Sequence, residues 1–484
     1  MQQNQSPELD RDRKFLLESF ASAFVQMHPA CVAIARSATL KVPSYPNISY
    51  RGNGMPWFGE VHYWDTNAIV DYSYPLNSNG IFGRPFGALS EEQRQPLSKL
   101  GKALVETPVT EHRYRDDKVL MADYEAEKFL QQAMLRYFYI FGLGEPDIAK
   151  VIKVCKPIVE FLTADRLHVA IMAPILMHQF DCKHFRLGPD AFIMKLSKNA
   201  QLSRAVASSW TYGVSKNVAA CATHAFVSTG WTLKSLPGSQ LFRRLNQPID
   251  AVFEEIDRFF AAFRLMTDAI SGYAQVLILP RHWVSTYSWD LPVMYGGEHR
   301  RYPTIYDKNY DEDDFVRTVP NDLLVEVKTA FGRISKNKQN NITLALRRLN
   351  QAMARDDDVD AILDAIIGIE LLLGGDKSDS ITFKLRMRAA GLAKLGNDIG
   401  PSETYRDLGK IYSTRSEIVH GSTKKATNKA AEVERQSKYR EHRDLATIHL
   451  RLVLRALLEH PEYRDPVKID NELLIGFPSL QDKQ

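Results

Sequence analysis

The stretch Ile411–Ser422, "IYSTRSEIVHGS", decides how the C-terminal part of the chain is read. It looks like the last turns of a helix. Arg415 stands five residues before His420, and Gly421 follows as a stop. Two side chains able to carry positive charge, placed where a helix ends, have two readings. One is capping, because cations are stabilised by the partial negative charge of a helix C-terminus. The other is a phosphate. A guanidinium holds phosphate oxygens through parallel hydrogen bonds, and an imidazole moves protons near neutral pH.

Working outward, almost everything after Pro320 has helical periodicity. Asn321 or Asp322 is placed to cap "LLVEVKTAFGRI", and "NITLALRRLNQAMARDD" follows. Asp357 and Asp358 open "VDAILDAIIGIELLLGG", which ends in paired glycines. Asp379 or Ser380 opens "ITFKLRMRAAGLAKLG", and Pro401 and Ser402 open the motif helix. A basic stretch, 424–443, leads into "LATIHLRLVLRALLEH". Four to six helices of roughly 12–20 residues with short loops predict an antiparallel bundle. Within 359–373 the apolar positions cover more than one face, so that helix belongs in the bundle centre. Glu370 in its midst must reach the bundle edge or find a cation, because an unpaired buried charge is costly.

The ordered set "DAIIGIELLLGG", "ITFKLRMRAAGLA" and "IYSTRSEIVHGS" resembles the core of a HEPN domain of the Apea type, over roughly residues 321–460. That family is marked by R-x4-6-H near a helix end, and Arg415 and His420 match the four-residue spacing. Ser416 takes the polar place after the arginine; Tyr412 and Gly421 also fit. The resemblance implies a metal-independent endoribonuclease needing no cofactor and no metal, a regulated toxin or effector in antiphage defence. It further implies that two chains pair and share one composite site. Arg415, His420 and Ser416 would then be catalytic. Glu370, Tyr412, Arg386, Arg388, Lys424 and Lys425 would support the site or contact RNA. For Glu370 an ion pair with Arg386 or Arg388 is an equal expectation, and for Tyr412 packing inside the bundle is another. The alternative function is a non-catalytic HEPN dimerisation or nucleotide-binding module, with the N-terminal region as the recognition part.

Helix geometry bears on the pairing. Five helical steps put Arg415 and His420 about 140° apart in rotation and about 7.5 Å apart along the axis. One regular helix does not aim both at one phosphate. Either the helix distorts before Gly421, or a second copy supplies the missing groups across a twofold axis. Ser416 and His420, four apart, do share a face.

The residues before this bundle read differently. Residues 1–318 form a mixed α/β region, a sensor or regulatory part that would take a phage-derived or nucleotide trigger; residues 319–484 form the helical effector. The acid cluster Asp311–Asp314 and Pro320 mark the boundary. The expected fold class is therefore α+β, a mixed N-terminal region followed by an all-α HEPN-like bundle. Residues 13–38 predict a helix broken near Pro29, 122–166 two helices split at "GLGEP", and 248–271 an amphipathic helix. "HVAIMAPILMHQF", "HFRLGPDAFIMKLS", "THAFVSTGWTL" and "AQVLILPRHWVSTYSW" predict strands. "HQFDCKH" at 178–184 lacks the second half of a zinc site, so its polar residues are read as incidental to a strand–turn–strand. "YGGEHRRYP" at 295–303 predicts a surface hairpin, with a ligand loop as the other reading. No P-loop, dinucleotide fingerprint or nucleophile elbow occurs.

Composition sets the outer bounds. Of 484 residues, 44% are apolar and 25% charged, which is globular rather than disordered. A net charge of +4 neither demands nor forbids a nucleic-acid partner. The four cysteines are far apart, which fits a reducing cytoplasm, and the longest apolar run, 169–177, is too short to span a bilayer.

Overall fold

The computed structural model describes residues 7–42, 45–59, 69–77, 83–113, 118–207, 213–234, 245–375, 381–396, 399–420 and 429–476, and the fold is α+β. The chain starts with helix α1 (Pro7–Ala35), which runs straight through Pro29. The expected break does not occur. Proline deprives the Val25 carbonyl of its helical partner, but Val25 lies on the exposed face, where water can serve. Two small ribbons follow, β1 (Lys41–Val42) with β4 (Ile69–Val70) and β2 (Ile48–Tyr50) with β3 (Pro56–Phe58). After the one-turn α2 (Ser73–Leu76), helices α3 (Glu91–Glu106), α4 (Lys118–Phe141) and α5 (Ile148–Thr163) pack with α1.

The strands come next: β5 (Arg166–Ile175), β6 (His178–Phe180), β7 (His184–Arg186) and β8 (Ala191–Lys195). Helices α6 (Lys198–Ala207) and α7 (Lys216–Ala220) lead to β9 (His224–Lys234). Then follow α8 (Ile249–Thr267), β10 (Tyr273–Pro280), β11 (Tyr295–Arg301), α9 (Ile305–Asn309) and β12 (Arg317–Val319). Six strands make one antiparallel sheet in the order β11-β10-β5-β9-β8-β7. Both of its faces are buried. Val169, Ile171 and Ala173 of β5 enter the main core, while Ala170 and Met172 enter a smaller cluster with Leu196 and Ala200. That is why β5 reads as an apolar run rather than an alternation.

The segment expected to be a surface hairpin is the edge strand β11. Gly296 sits there at φ +145°, and a Cβ would meet the Val276 carbonyl oxygen at 2.3 Å. Gly296 therefore serves close strand approach rather than a turn, while a Cβ at Gly297 would meet open space. "HQFDCKH" is strand, turn and strand. His178 is buried, and its Nδ1 lies 2.7 Å from the Leu176 carbonyl oxygen.

The C-terminal helices are α10 (Asn321–Lys336), α11 (Asn340–Ala354), α12 (Asp358–Leu373), α13 (Ile381–Leu392), α14 (Pro401–Val419) and α15 (Lys429–Glu459). At 31 residues, α15 is longer than expected, because the basic stretch from Lys429 onward forms its first half. Pro320 stands at the start of α10, and neither Asn321 nor Asp322 caps it. The Asp357 carboxylate does cap α12, accepting from the Asp360 N–H at 2.9 Å. No helix among the described residues is long and apolar enough to cross a membrane.

The two parts of the chain share one core. Helix α8 packs against both α10 and α11. Phe259 of α8 stacks on Phe226 of β9 at 4.5 Å, and Phe226 meets Phe331 of α10 at 6.2 Å. Residue 318 falls inside β12, which runs parallel to β6 and passes directly into α10.

Burial pushes the His178 imidazole down to about 4. A histidine whose folded pKa is depressed stabilises the fold above its unfolded value near 6.5, and that stability is lost as pH falls toward 4. His178 alone should give a slope approaching about 1.4 kcal/mol per pH unit in that window. Urea unfolding of wild type and His178→Asn between pH 5 and 7 measures this. The variant should lose that share of the slope; equal slopes would refute the assignment.

Candidate functional site

The local sequence around the motif folds as a regular helix. α14 continues to Val419, and the His420 N–H still donates to the Ser416 carbonyl at 3.0 Å. His420 is the residue at which the helix ends, so no distortion brings it round to Arg415. The helix buries Leu408, Ile411 and Tyr412 and leaves Ser416 and His420 exposed.

Arg415 and Glu370 meet. Nε of Arg415 lies 3.4 Å from Oε1 of Glu370, with the arginine side chain 38% exposed and the glutamate 23%. The central helix α12 is apolar nearly all round, and its carboxylate escapes at the edge toward α14. Neither Arg386 nor Arg388 is the partner. Tyr412 lies beneath this pair, only 6% exposed. Its hydroxyl has no hydrogen bond of good geometry among the described residues, and burial, then the Glu370 charge, raises its pKa. Tyr412 is a packed bundle tyrosine, out of reach of a base.

Arg388 is turned inward. Its Nε and Nη2 donate to the two carboxylate oxygens of Asp470 at 2.8 and 2.7 Å. Its Nη1 donates to the carbonyls of Leu373 and Gly374 at 2.6 and 2.8 Å. It therefore closes the C-terminus of α12 and ties it to the chain after α15. The expectation that Arg388 faces RNA is corrected by this burial. Arg386 lies along α14, donating to the Tyr405 carbonyl at 3.0 Å with its guanidinium 3.8 Å from the Tyr405 ring. Gly409 makes room for it. Lys424 and Lys425, with Gly421, lie outside the described residues. Further along the basic stretch, Lys438 pairs with Glu417 at 2.8 Å, Arg443 with Asp358 at 2.9 Å and Arg435 with Glu432 at 2.6 Å. Much of its charge is neutralised within the bundle.

The Glu370–Arg415 contact brings together the last turns of α12 and α14, which carry the exposed apolar side chains Leu371 and Val419. Phe383 near the start of α13 and Val433 near the start of α15 are exposed as well. Behind them runs a buried polar seam. Thr414 Oγ1 is 2.6 Å from His442 Nδ1, and His449 Nε2 is 3.5 Å from Asp407 Oδ2. Burial lowers the pKa of both histidines, although Asp407 pulls His449 the other way. Among the described residues no group of three or more His, Cys, Asp or Glu is placed to hold a metal ion.

Comparison with family models, curated proteins and solved structures finds no match to this chain.

Sequence reading missed the partners of Arg388 and a second cluster of arginines formed by α8, β11 and α11. Those residues come from separate elements, so linear spacing carries no signal for them. Only the basic residues of "GGEHRRYP" hinted at a ligand.

Arg388→Ala should cost about 3–5 kcal/mol, because it strands a carboxylate and two carbonyls. Arg415→Ala should stay within about 1 kcal/mol, as its pair is partly exposed and screened by water. Urea unfolding of the two variants beside wild type measures both. An Arg388→Ala midpoint equal to wild type would contradict the structural role.

Proposed function

We propose that the C-terminal bundle is a metal-independent endoribonuclease of HEPN type that acts as a pair of chains. The observation that carries this reading is the Glu370–Arg415 pair at an open bundle edge, on the helix that also exposes Ser416 and His420. Glu370 holds the guanidinium in one orientation while leaving it reachable. Ser416 shares the face of His420 and would orient the imidazole or touch the sugar.

The chemistry would use one histidine from each chain. One imidazole takes the proton of the 2′-hydroxyl, whose oxygen attacks the adjacent phosphorus. The P–O5′ bond breaks, and the second imidazole, protonated, delivers its proton to the leaving 5′-oxygen. The two Arg415 guanidiniums stabilise charge building on the non-bridging oxygens. The products are a 2′,3′-cyclic phosphate and a 5′-hydroxyl. Because α14 is regular, Arg415 and His420 of one chain diverge, so a second copy is needed to complete the site. The exposed apolar side chains Leu371 and Val419, near the Glu370–Arg415 pair and His420, offer that copy a surface.

Such an activity must be restrained, and the shared core gives the α/β part a route to the bundle. The reading is therefore a regulated toxin or effector of antiphage defence, acting on RNA in the cytoplasm, with a phage-derived or nucleotide trigger.

The test is expression of wild type, Arg415→Ala and His420→Ala with RNA ends analysed. Both variants should cleave about 10²–10⁴-fold more slowly. Wild-type products should carry cyclic phosphates, and EDTA should leave the rate unchanged. Equal behaviour of all three proteins would favour a binding module without catalysis.

A further inference from the structure

A second basic site lies where the sheet meets the bundle. A cavity of about 380 Å³ opens between α8, the paired ends of β10 and β11, and α11. That volume is in the range of small-ligand pockets. Its walls carry Arg264, Arg300, Arg301, Arg347 and Arg355 with the carboxylate of Asp257; of these arginines, Arg300, Arg347 and Arg355 also pair with Asp307, Glu254 and Asp364 at 2.7, 2.8 and 3.0 Å.

The most telling residue is Arg264. It is 4% exposed, yet it makes no ion pair among the described residues. Its Nη1 donates to Asn350 Oδ1 at 2.7 Å, and its Nη2 to the Ser271 carbonyl. Its Nε has no hydrogen-bond partner among the described residues. Beside it, Tyr273 is 2% exposed, and its hydroxyl likewise makes no hydrogen bond of good geometry. Asp257 is the nearby carboxylate, but it forms no direct ion pair with Arg264, and a desolvated guanidinium so weakly countered is costly, as is a buried hydroxyl without a well-formed hydrogen bond. An anion in the cavity would answer both.

The neighbours extend the site. Arg301, opposite Tyr273 in the strand register, is exposed and donates to His299 Nε2 at 3.2 Å. Arg347 is held by Glu254 at 2.8 Å, so its position is set while half its side chain faces solvent. Phe260 and Tyr302 add aromatic surface to the same walls.

We propose that this cavity binds a nucleoside polyphosphate, with phosphates on Arg264, Arg301 and Arg347 and the base against the aromatic wall. Asp257 would accept hydrogen bonds from ribose hydroxyls or an exocyclic amine. The ligand would touch α8, β10, β11 and α11 at once and so bind the α/β part to the bundle. This inference does not depend on RNA cleavage, and its test reads binding alone.

The experiment is calorimetry and thermal melting of the full chain with ATP, AMP and inorganic triphosphate. ATP should bind saturably and raise the melting temperature. Arg301→Ala and Arg347→Ala, both at exposed side chains, should each weaken ATP by about tenfold or more, as expected for a lost charge-assisted contact. Arg415→Ala should bind ATP as wild type does. AMP and inorganic triphosphate should each bind more weakly than ATP. No saturable ATP binding would overturn the proposal, as would binding indifferent to both Arg301 and Arg347. Inorganic triphosphate binding as tightly as ATP would overturn the nucleotide assignment.

Discussion

Burying α12 on nearly every side is the constraint from which the C-terminal part follows. Its neighbours α11, α13, α14 and α15 wrap it, and Gly368 lets α15 come so close that a Cβ would lie 2.9 Å from the Leu450 methyls. A helix so enclosed has few exits for charge. Asp364 is buried and takes two cations, Arg348 at 2.6 Å and Arg355 at 3.0 Å. Glu370 exits toward α14 and takes Arg415. Arg388 then seals the helix end from behind. The orientation of the motif arginine is thus a consequence of packing at the bundle centre.

The same logic joins the two parts of the molecule. Helix α8 meets the sheet through Phe259 and the bundle through Arg264 and its contact with Asn350. A change in the position of α8 would be felt by α10 and α11, and α11 lies directly against α12. A ligand-filled cavity at that junction would stiffen the connection. This is a continuous set of packed elements rather than a tether between separate bodies, and it brings the arginine cavity into mechanical contact with the motif bundle.

Much of this was legible in the sequence, where one element's own residues carry the signal. The helix over Asp358–Leu373, its Asp357 cap and its glycine stop follow from local spacing, as do β5, β9 and α8. So did the choice that Glu370 had to face: an edge or a cation. What failed to show was anything decided by partners distant along the chain. Arg388 stands two residues from Arg386 and looks equally exposed in a linear reading; Asp470, 82 positions later, turns it inward. Pro29 signals a break that the exposed face of α1 tolerates. The glycines of "YGGEHRRYP" signal a turn, and only the close approach of β10 reveals why a strand needs Gly296 there. Arg264 hides inside an amphipathic helix, where nothing local distinguishes it from a surface arginine.

The central claim is that guanidinium and imidazole groups from two chains act on one phosphodiester. Adding excess His420→Ala chains to wild type, under conditions where wild type cleaves RNA, tests it most directly. A mixed pair keeps only one of the two imidazoles, so cleavage should fall as the variant draws wild-type chains into mixed pairs. A rate unchanged by excess variant would contradict a site shared between two copies.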